Sequence, residues 1–221
     1  RILLMDTYLY LIFTVLYAAL FIIMLLSIRK SGFGVLSNVL ILVILPLIYD
    51  NAILGIGKWI GEGEVLKILN IARFWLHALL TPLLILFSLD VLKRAGVEWA
   101  NKTSTLLFTI AYTLIAFLVE LFTVVWDLSL KVEEKHGILS YTAANSPSGP
   151  PIMIILVTLA LLVSSIILWK RTGWFWMFVG VALMLIGGMV DIPIKSGAIT
   201  NAFELILLTS LVFTKRHQDK V

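Results

Sequence analysis

The chain has 221 residues, 61% of them apolar and 14% charged, with 17 Lys and Arg against 13 Asp and Glu and no cysteine. This composition excludes an ordinary soluble domain and indicates a polytopic membrane protein. The missing thiols remove disulfides, thiolate metal sites, cysteine nucleophiles and lipidated cysteines, and the basic balance bears on membrane orientation rather than on nucleic acid.

Hydrophobic runs of about 18 to 25 residues, each able to cross about 30 Å of hydrocarbon, recur at about 6–28, 33–55, 66–91, 104–128, 150–169, 173–190 and 197–214. They consume nearly the whole chain. The predicted fold is an all-α bundle of seven transmembrane helices forming one domain. The first run is too long for a signal-peptide core and has neither basic leader nor small-residue cleavage site, so it reads as a span. Lys and Arg cluster at Arg29-Lys30, Lys93-Arg94 with Lys102, Lys170-Arg171, and Lys215-Arg216 with Lys220, at alternate ends of successive spans. That side carries about ten basic and three acidic residues against about six and seven on the other, so the positive-inside rule predicts an outer N-terminus and a cytoplasmic C-terminus.

Span 1 brings Tyr8, Tyr10, Thr14 and Tyr17 in its outer half, the first two read as interface anchors. Span 2 holds Asn38 and Pro46 and ends Tyr49-Asp50-Asn51, with a bend expected at the proline just before the acid. The link Gly55–Glu64 is glycine-rich but has no phosphate-loop lysine-serine, so it reads as a turn. Span 3 carries Asn70, Arg73, His77 and Thr81 three or four residues apart, a polar stripe on an apolar rod. Ionisable groups inside a bilayer are costly and mark a site by default, with partners on other helices.

Span 4 has a second stripe, Thr109, Thr113, Glu120, Thr123 and Asp127. The stretch 129–149 that follows is the longest outer loop, read as a lid or as a mobile segment. Span 5 has no ionisable interior residue, and span 6 sets Gly173, Gly180 and Gly187 seven residues apart as a smooth packing face. Both read as scaffold. A short link containing Asp191 and Lys195 leads to span 7, with Asn201 and Glu204 near its outer end. Trp75 is the one tryptophan away from the predicted helix ends.

At about 1.5 Å per residue from the outer ends, Asp50 lies at ~8 Å, Arg73 at ~9 Å, Glu204 at ~10 Å, Glu120 at ~13 Å and His77 at ~15 Å. The expected site is a polar pocket in the outer half of the bundle, with Lys67, Asp127, Asp191 and Lys195 near its mouth. Three carboxylates against one arginine require protons or a bound cation. One divalent metal held by His77, Glu120, Glu204 and Asp50 is one solution. Protonated carboxylates forming a relay with His77 are the other. Arg73 reads either as the holder of an anionic substrate group or as half of a register-fixing ion pair with Asp50, Glu120 or Glu204.

The residues Tyr49-Asp50-Asn51, Gly61-Glu62-Gly63-Glu64 and Arg73-Phe-Trp-Leu-His77-Ala-Leu-Leu-Thr-Pro82 resemble a group of small bacterial multi-span membrane proteins. The resemblance covers spans 2 and 3. Some of that group carry a phospholipid-phosphatase label, which would imply a lipid substrate. The phosphate-holding segments of phosphatidic-acid-phosphatase-type enzymes are absent, and Pro147-Ser148-Gly149 is followed by Pro150 instead of histidine, so no catalytic assignment is carried over. The last span has no mid-helix lysine for retinal, and paired histidines for haem are missing.

The leading functional reading is an integral membrane hydrolase acting on a lipid or other amphiphile. His77, Glu120 and Glu204 are its candidate catalytic residues, and Arg73, Asp50, Asn70, Asn201 and Trp75 are its candidate substrate-binding residues. The alternatives are a proton- or cation-coupled transporter using the same titrating groups, and a sensor or structural subunit of a membrane assembly. Membrane lipids are the expected partners, and the bacterial cytoplasmic membrane is the expected location.

Overall fold

The computed structural model describes residues 5–32, 34–145, 151–189 and 196–220. Its helices are α1 (Met5–Ser31), α2 (Leu40–Ile60), α3 (Glu64–Leu80), α4 (Leu83–Arg94), α5 (Thr103–Glu120), α6 (Ile152–Thr172), α7 (Trp176–Met189) and α8 (Ala198–Gln218). Six stretches, 6–30, 36–60, 64–94, 103–125, 152–172 and 198–218, are long and apolar enough to cross a membrane. The expected span over 173–190 is represented among the described residues by α7. Its 14 residues reach ~21 Å, short of the ~30 Å hydrocarbon layer.

The expected third span is two helices. Pro82 has no N–H to offer the preceding turn, and the N–H groups of Leu84 and Ile85 bond to the Thr81 and Pro82 carbonyls three residues back. Beyond this break the chain takes new neighbours. α3 packs on α2 and α5, whereas α4 runs among α2, α5, α6 and α8 and buries Leu84, Phe87, Leu89 and Val91. The central core joins Tyr17 and Met24 of α1, Leu40 and Ile44 of α2, Phe87, Leu161 and Leu208.

Glycines set two of the closest helix contacts. A Cβ on Gly180 would lie 2.0 Å from Ser210 Oγ, and one on Gly187 would lie 2.3 Å from the Phe203 ring, so α7 and α8 meet along this face. Gly173 does not belong to it. With φ of 77° it ends α6 as a left-handed cap, its N–H bonded to the Trp169 carbonyl.

The residues after α5 differ most from expectation. Glu120 is followed by a π turn, Leu121–Val125, and then by a β-hairpin of β1 (Leu130–Lys135) and β2 (Ile138–Ala143), paired from Leu130↔Ala143 to Lys135↔Ile138. Its two-residue loop, His136-Gly137, has positive φ at both positions, 53° and 83°, the requirement of the tight turn that matches strand twist. The helical body thus carries one small β element where a lid or mobile loop was expected. The hairpin is docked: Tyr141 packs with Ile53 and Leu66, its hydroxyl accepts the Gly63 N–H at 3.2 Å, and Thr7 Oγ1 donates to the Gly137 carbonyl at 3.1 Å. Residues 146–150 of the expected lid, and Asp191 and Lys195, lie outside the described residues.

Two polar clasps hold the last helix to the rest. At the hairpin end, buried Asp6 of α1 accepts the Gly197 N–H at 2.8 Å and the Ser196 hydroxyl at 2.7 Å. This satisfies orphan donors at the start of α8 and sets a carboxylate against its N-terminus. At the basic end, Lys215 is fully buried and donates to Asp219 at 2.7 Å and to Ser27 at 3.2 Å. Asp219 also accepts Arg94 at 2.6 Å and the Ser27 hydroxyl, joining α1, α4 and α8. The sequence reading had taken Lys215 as a rim cation.

Candidate functional site

A cavity of about 590 Å³ lies between α2, α3 and the start of α4 on one side and α6, α7 and α8 on the other. Its lining is segregated. Asp50, Arg73, His77, Thr81, Asn201 and Glu204 supply polar groups from α2, α3, the α3–α4 break and α8. Apolar walls come from Pro46 and Leu47 and, opposite them, from residues such as Val157, Leu161, Met184 and Leu208. Few polar groups among predominantly apolar walls is the pattern of a small-molecule site between the helices of a bundle. α3 and α6 make almost no direct contact. Ile155, Leu159 and Met189, which also line the cavity, are 49%, 53% and 82% exposed on the outside of the bundle. The apolar end therefore reaches the lipid-facing surface.

Each polar group is positioned by its own helix. Helix ends that lie further out than expected put Asp50 ten residues from the end of α2 and Arg73 nine from the start of α3, or ~15 Å and ~14 Å along their axes. The two levels match. Arg73 Nε donates to Asp50 Oδ1 at 2.7 Å and Nη1 donates to Asn70 Oδ1 at 2.6 Å, while Asn70 Nδ2 bonds to the Leu66 carbonyl at 2.7 Å. The guanidinium is thus held by one acid and one amide. One turn further on, His77 Nδ1 lies 3.2 Å from Thr81 Oγ1, which leaves Nε2 without a partner among the described residues. Across the cavity, Asn201 Nδ2 donates to Asn51 Oδ1 at 3.3 Å. Glu204 makes no hydrogen bond or ion pair among the described residues.

Five of the expected site residues, Asp50, Arg73, His77, Asn201 and Glu204, line this one cavity. Asn70 is buried behind it and steadies Arg73. Glu120 and Trp75 are not among the lining residues. Glu120 is buried at the end of α5, and Trp75 turns 41% of its surface to the outside of the bundle. Lys67 pairs with Glu64 at 3.5 Å, and Asp127 is exposed.

The expected span-4 stripe breaks up for a geometric reason. Its threonines bond the carbonyls of their own helix, Thr109 to Thr105 and Thr113 to Thr109, both at 2.8 Å. The π turn then adds a residue to the helical cycle, so Thr123 and Asp127 fall on the exposed face instead of under Glu120. Among the described residues no group of three or more His, Cys, Asp and Glu is arranged to hold a metal ion. The quartet His77, Glu120, Glu204 and Asp50 is not assembled, because Glu120 is elsewhere and Asp50 is committed to Arg73.

Sequence reasoning missed the contribution of α6 and α7, which it read as scaffold and which furnish most of the apolar wall. It also missed Asn51, the anchor of Asn201. Its position beside Asp50 was the available signal.

Fold and cavity together define a helical integral membrane protein with a half-buried polar cluster beside an apolar chamber. No family model, curated protein or solved structure matches this chain.

Proposed function

We propose that this protein takes an amphiphile from the membrane into the cavity, apolar chain against α6 and α7, polar head at Arg73, His77, Asn201 and Glu204, and hydrolyses it there. The segregated lining carries this reading. A purely polar path would suit an ion, and a purely apolar one a lipid tail alone. His77, with Nε2 free, is suited to accept a proton from water. The water's oxygen bonds to the carbonyl carbon of an ester or amide in the amphiphile. Glu204, without a partner among the described residues, is suited to give a proton to the alcohol or amine that leaves as that bond breaks. Arg73 and Asp50 act as a fixed pair that orients the head rather than as a free cation. The resemblance of spans 2 and 3 to small bacterial multi-span proteins supports a lipid substrate and a bacterial cytoplasmic membrane. The positive-inside rule supports a cytoplasmic basic end, with Asp50, Arg73 and His77 near mid-depth of the layer.

Transport finds less support. Between Glu204 and the basic end, α8 gives the core Leu207, Leu208, Leu211 and Val212, and the α8 hydroxyls of Thr209, Ser210 and Thr214 there are bonded to carbonyls of their own helix. The test is incubation of the purified protein with vesicles of a bacterial total lipid extract, followed by mass spectrometry of the products. Turnover that His77→Ala and Glu204→Gln both abolish is expected. Flux of protons without any product would replace hydrolysis with transport.

A further inference from the structure

The geometry points to an amphiphile whose head is a hydrogen-bond donor without negative charge, a protonated amine or a hydroxyl, rather than a phosphate. This inference rests on the amphiphile reading of the cavity and narrows the ligand it takes. The cation that the described residues place in the lining, Arg73, is paired with Asp50 through Nε at 2.7 Å and held by Asn70 through Nη1 at 2.6 Å. What distinguishes the remainder is an acceptor without a counter-charge: among the described residues Glu204 makes no hydrogen bond or ion pair. Asn201, with one amide N–H on Asn51, also leaves its carbonyl oxygen open, beside the remaining Arg73 N–H groups. With Asp50 and Arg73 cancelling, the described lining carries no fixed net positive charge, and one uncompensated negative charge when Glu204 is ionised. A phosphate head would bring further negative charge beside two carboxyl groups in a low-dielectric site. An ammonium or hydroxyl would instead give Glu204 and Asn201 the donors they lack. The apolar chamber of about 590 Å³ accommodates a long hydrocarbon body.

The experiment is displacement of a pyrene-labelled long-chain alcohol from the full-length protein in maltoside micelles at pH 7. Dodecylamine, dodecanol and dodecyl phosphate are compared at equal micellar mole fraction. Amine and alcohol are expected to displace the probe at concentrations at least tenfold lower than the phosphate. Glu204→Gln is expected to weaken the amine about tenfold and the alcohol by less than about threefold, since a Gln carbonyl still accepts a neutral hydroxyl, and an unchanged melting temperature reports that the variant is folded. Best displacement by dodecyl phosphate, or an amine preference that survives Glu204→Gln, overturns the inference and leaves the amphiphile site standing. Failure of all three compounds and of the probe to bind overturns the site itself, and the inference with it.

Discussion

Arg73 Nε lies 2.7 Å from Asp50 Oδ1, joining α3 to α2 at the wall of the cavity. Both side chains are largely shielded, with 15% and 25% of their surface exposed, so removing one partner strands the other. Arg73→Ala is expected to destabilise the protein by about 2–3 kcal/mol, and Asp50→Asn by a similar amount. The pair Arg73→Met with Asp50→Leu is expected to recover most of that loss, since neither charge is left behind. Thermal unfolding in detergent, followed for the three variants, checks the sign of the recovery.

Asp219 anchors the clasp at the basic end, just beyond α8. Burial alone would raise its carboxyl, but hydrogen bonds from Lys215, Ser27 and Arg94 outweigh burial and hold it below the ordinary value of 3.8. A depressed folded-state value means that the stabilisation is complete above 3.8 and is lost as pH falls through the lower, folded value. At neutral pH, Asp219→Asn removes a charged partner from buried Lys215 and from Arg94 and is expected to cost on the order of 3 kcal/mol. Melting temperatures of the wild type and the variant should converge as pH is lowered below 3.8.

Gly57 fixes the hairpin to α2. A Cβ there would fall 2.1 Å from the Leu139 carbonyl oxygen, a backbone atom that cannot turn aside. Gly57→Ala is therefore expected to displace the hairpin at a cost of about 1–3 kcal/mol. Tryptic cleavage after Lys131 and Lys135 should accelerate. Gly34→Ala, with open space around its Cβ, should leave the cleavage rate unchanged.

Glu120 and Glu204 looked equivalent in the sequence, one acid deep in each of two spans, yet only Glu204 lines the cavity. Glu120→Gln is expected to retain amphiphile turnover within about threefold, whereas Glu204→Gln loses it, since only a group beside the head can move a proton there. Product formation by the two variants at equal protein concentration distinguishes them. Equal losses would return Glu120 to the site.

The spans were legible because about 20 consecutive apolar residues carry one dominant message, and the stripe Arg73–His77 because charge inside such a run has few uses. Other features depended on events that periodicity does not register. One π turn after Glu120 rotated Thr123 and Asp127 away from their expected face. Pro82 divided one span into two helices with different neighbours. The hairpin had a local signal, His136-Gly137 between β-branched and aromatic residues, which the charges of β1 obscured. Asp6 and Asp219 were harder still. Their partners on other helices lie more than 100 residues away along the chain, and the local Lys215–Asp219 spacing looks the same in a clasp as in an exposed helix pair. The α6 and α7 walls carried no signal because an apolar residue facing a cavity looks the same in sequence as one facing lipid.

The most direct test is native mass spectrometry of the protein purified from membranes in a mild detergent, alongside Thr158→Trp. Thr158 is 9% exposed and lines the cavity from α6, the side facing α2 and α3, so an indole there takes up chamber volume from the apolar wall. One retained amphiphile per wild-type chain, absent from a folded Thr158→Trp, is the expected result. A wild type that carries none, or a variant that carries as much, would contradict an amphiphile-binding cavity.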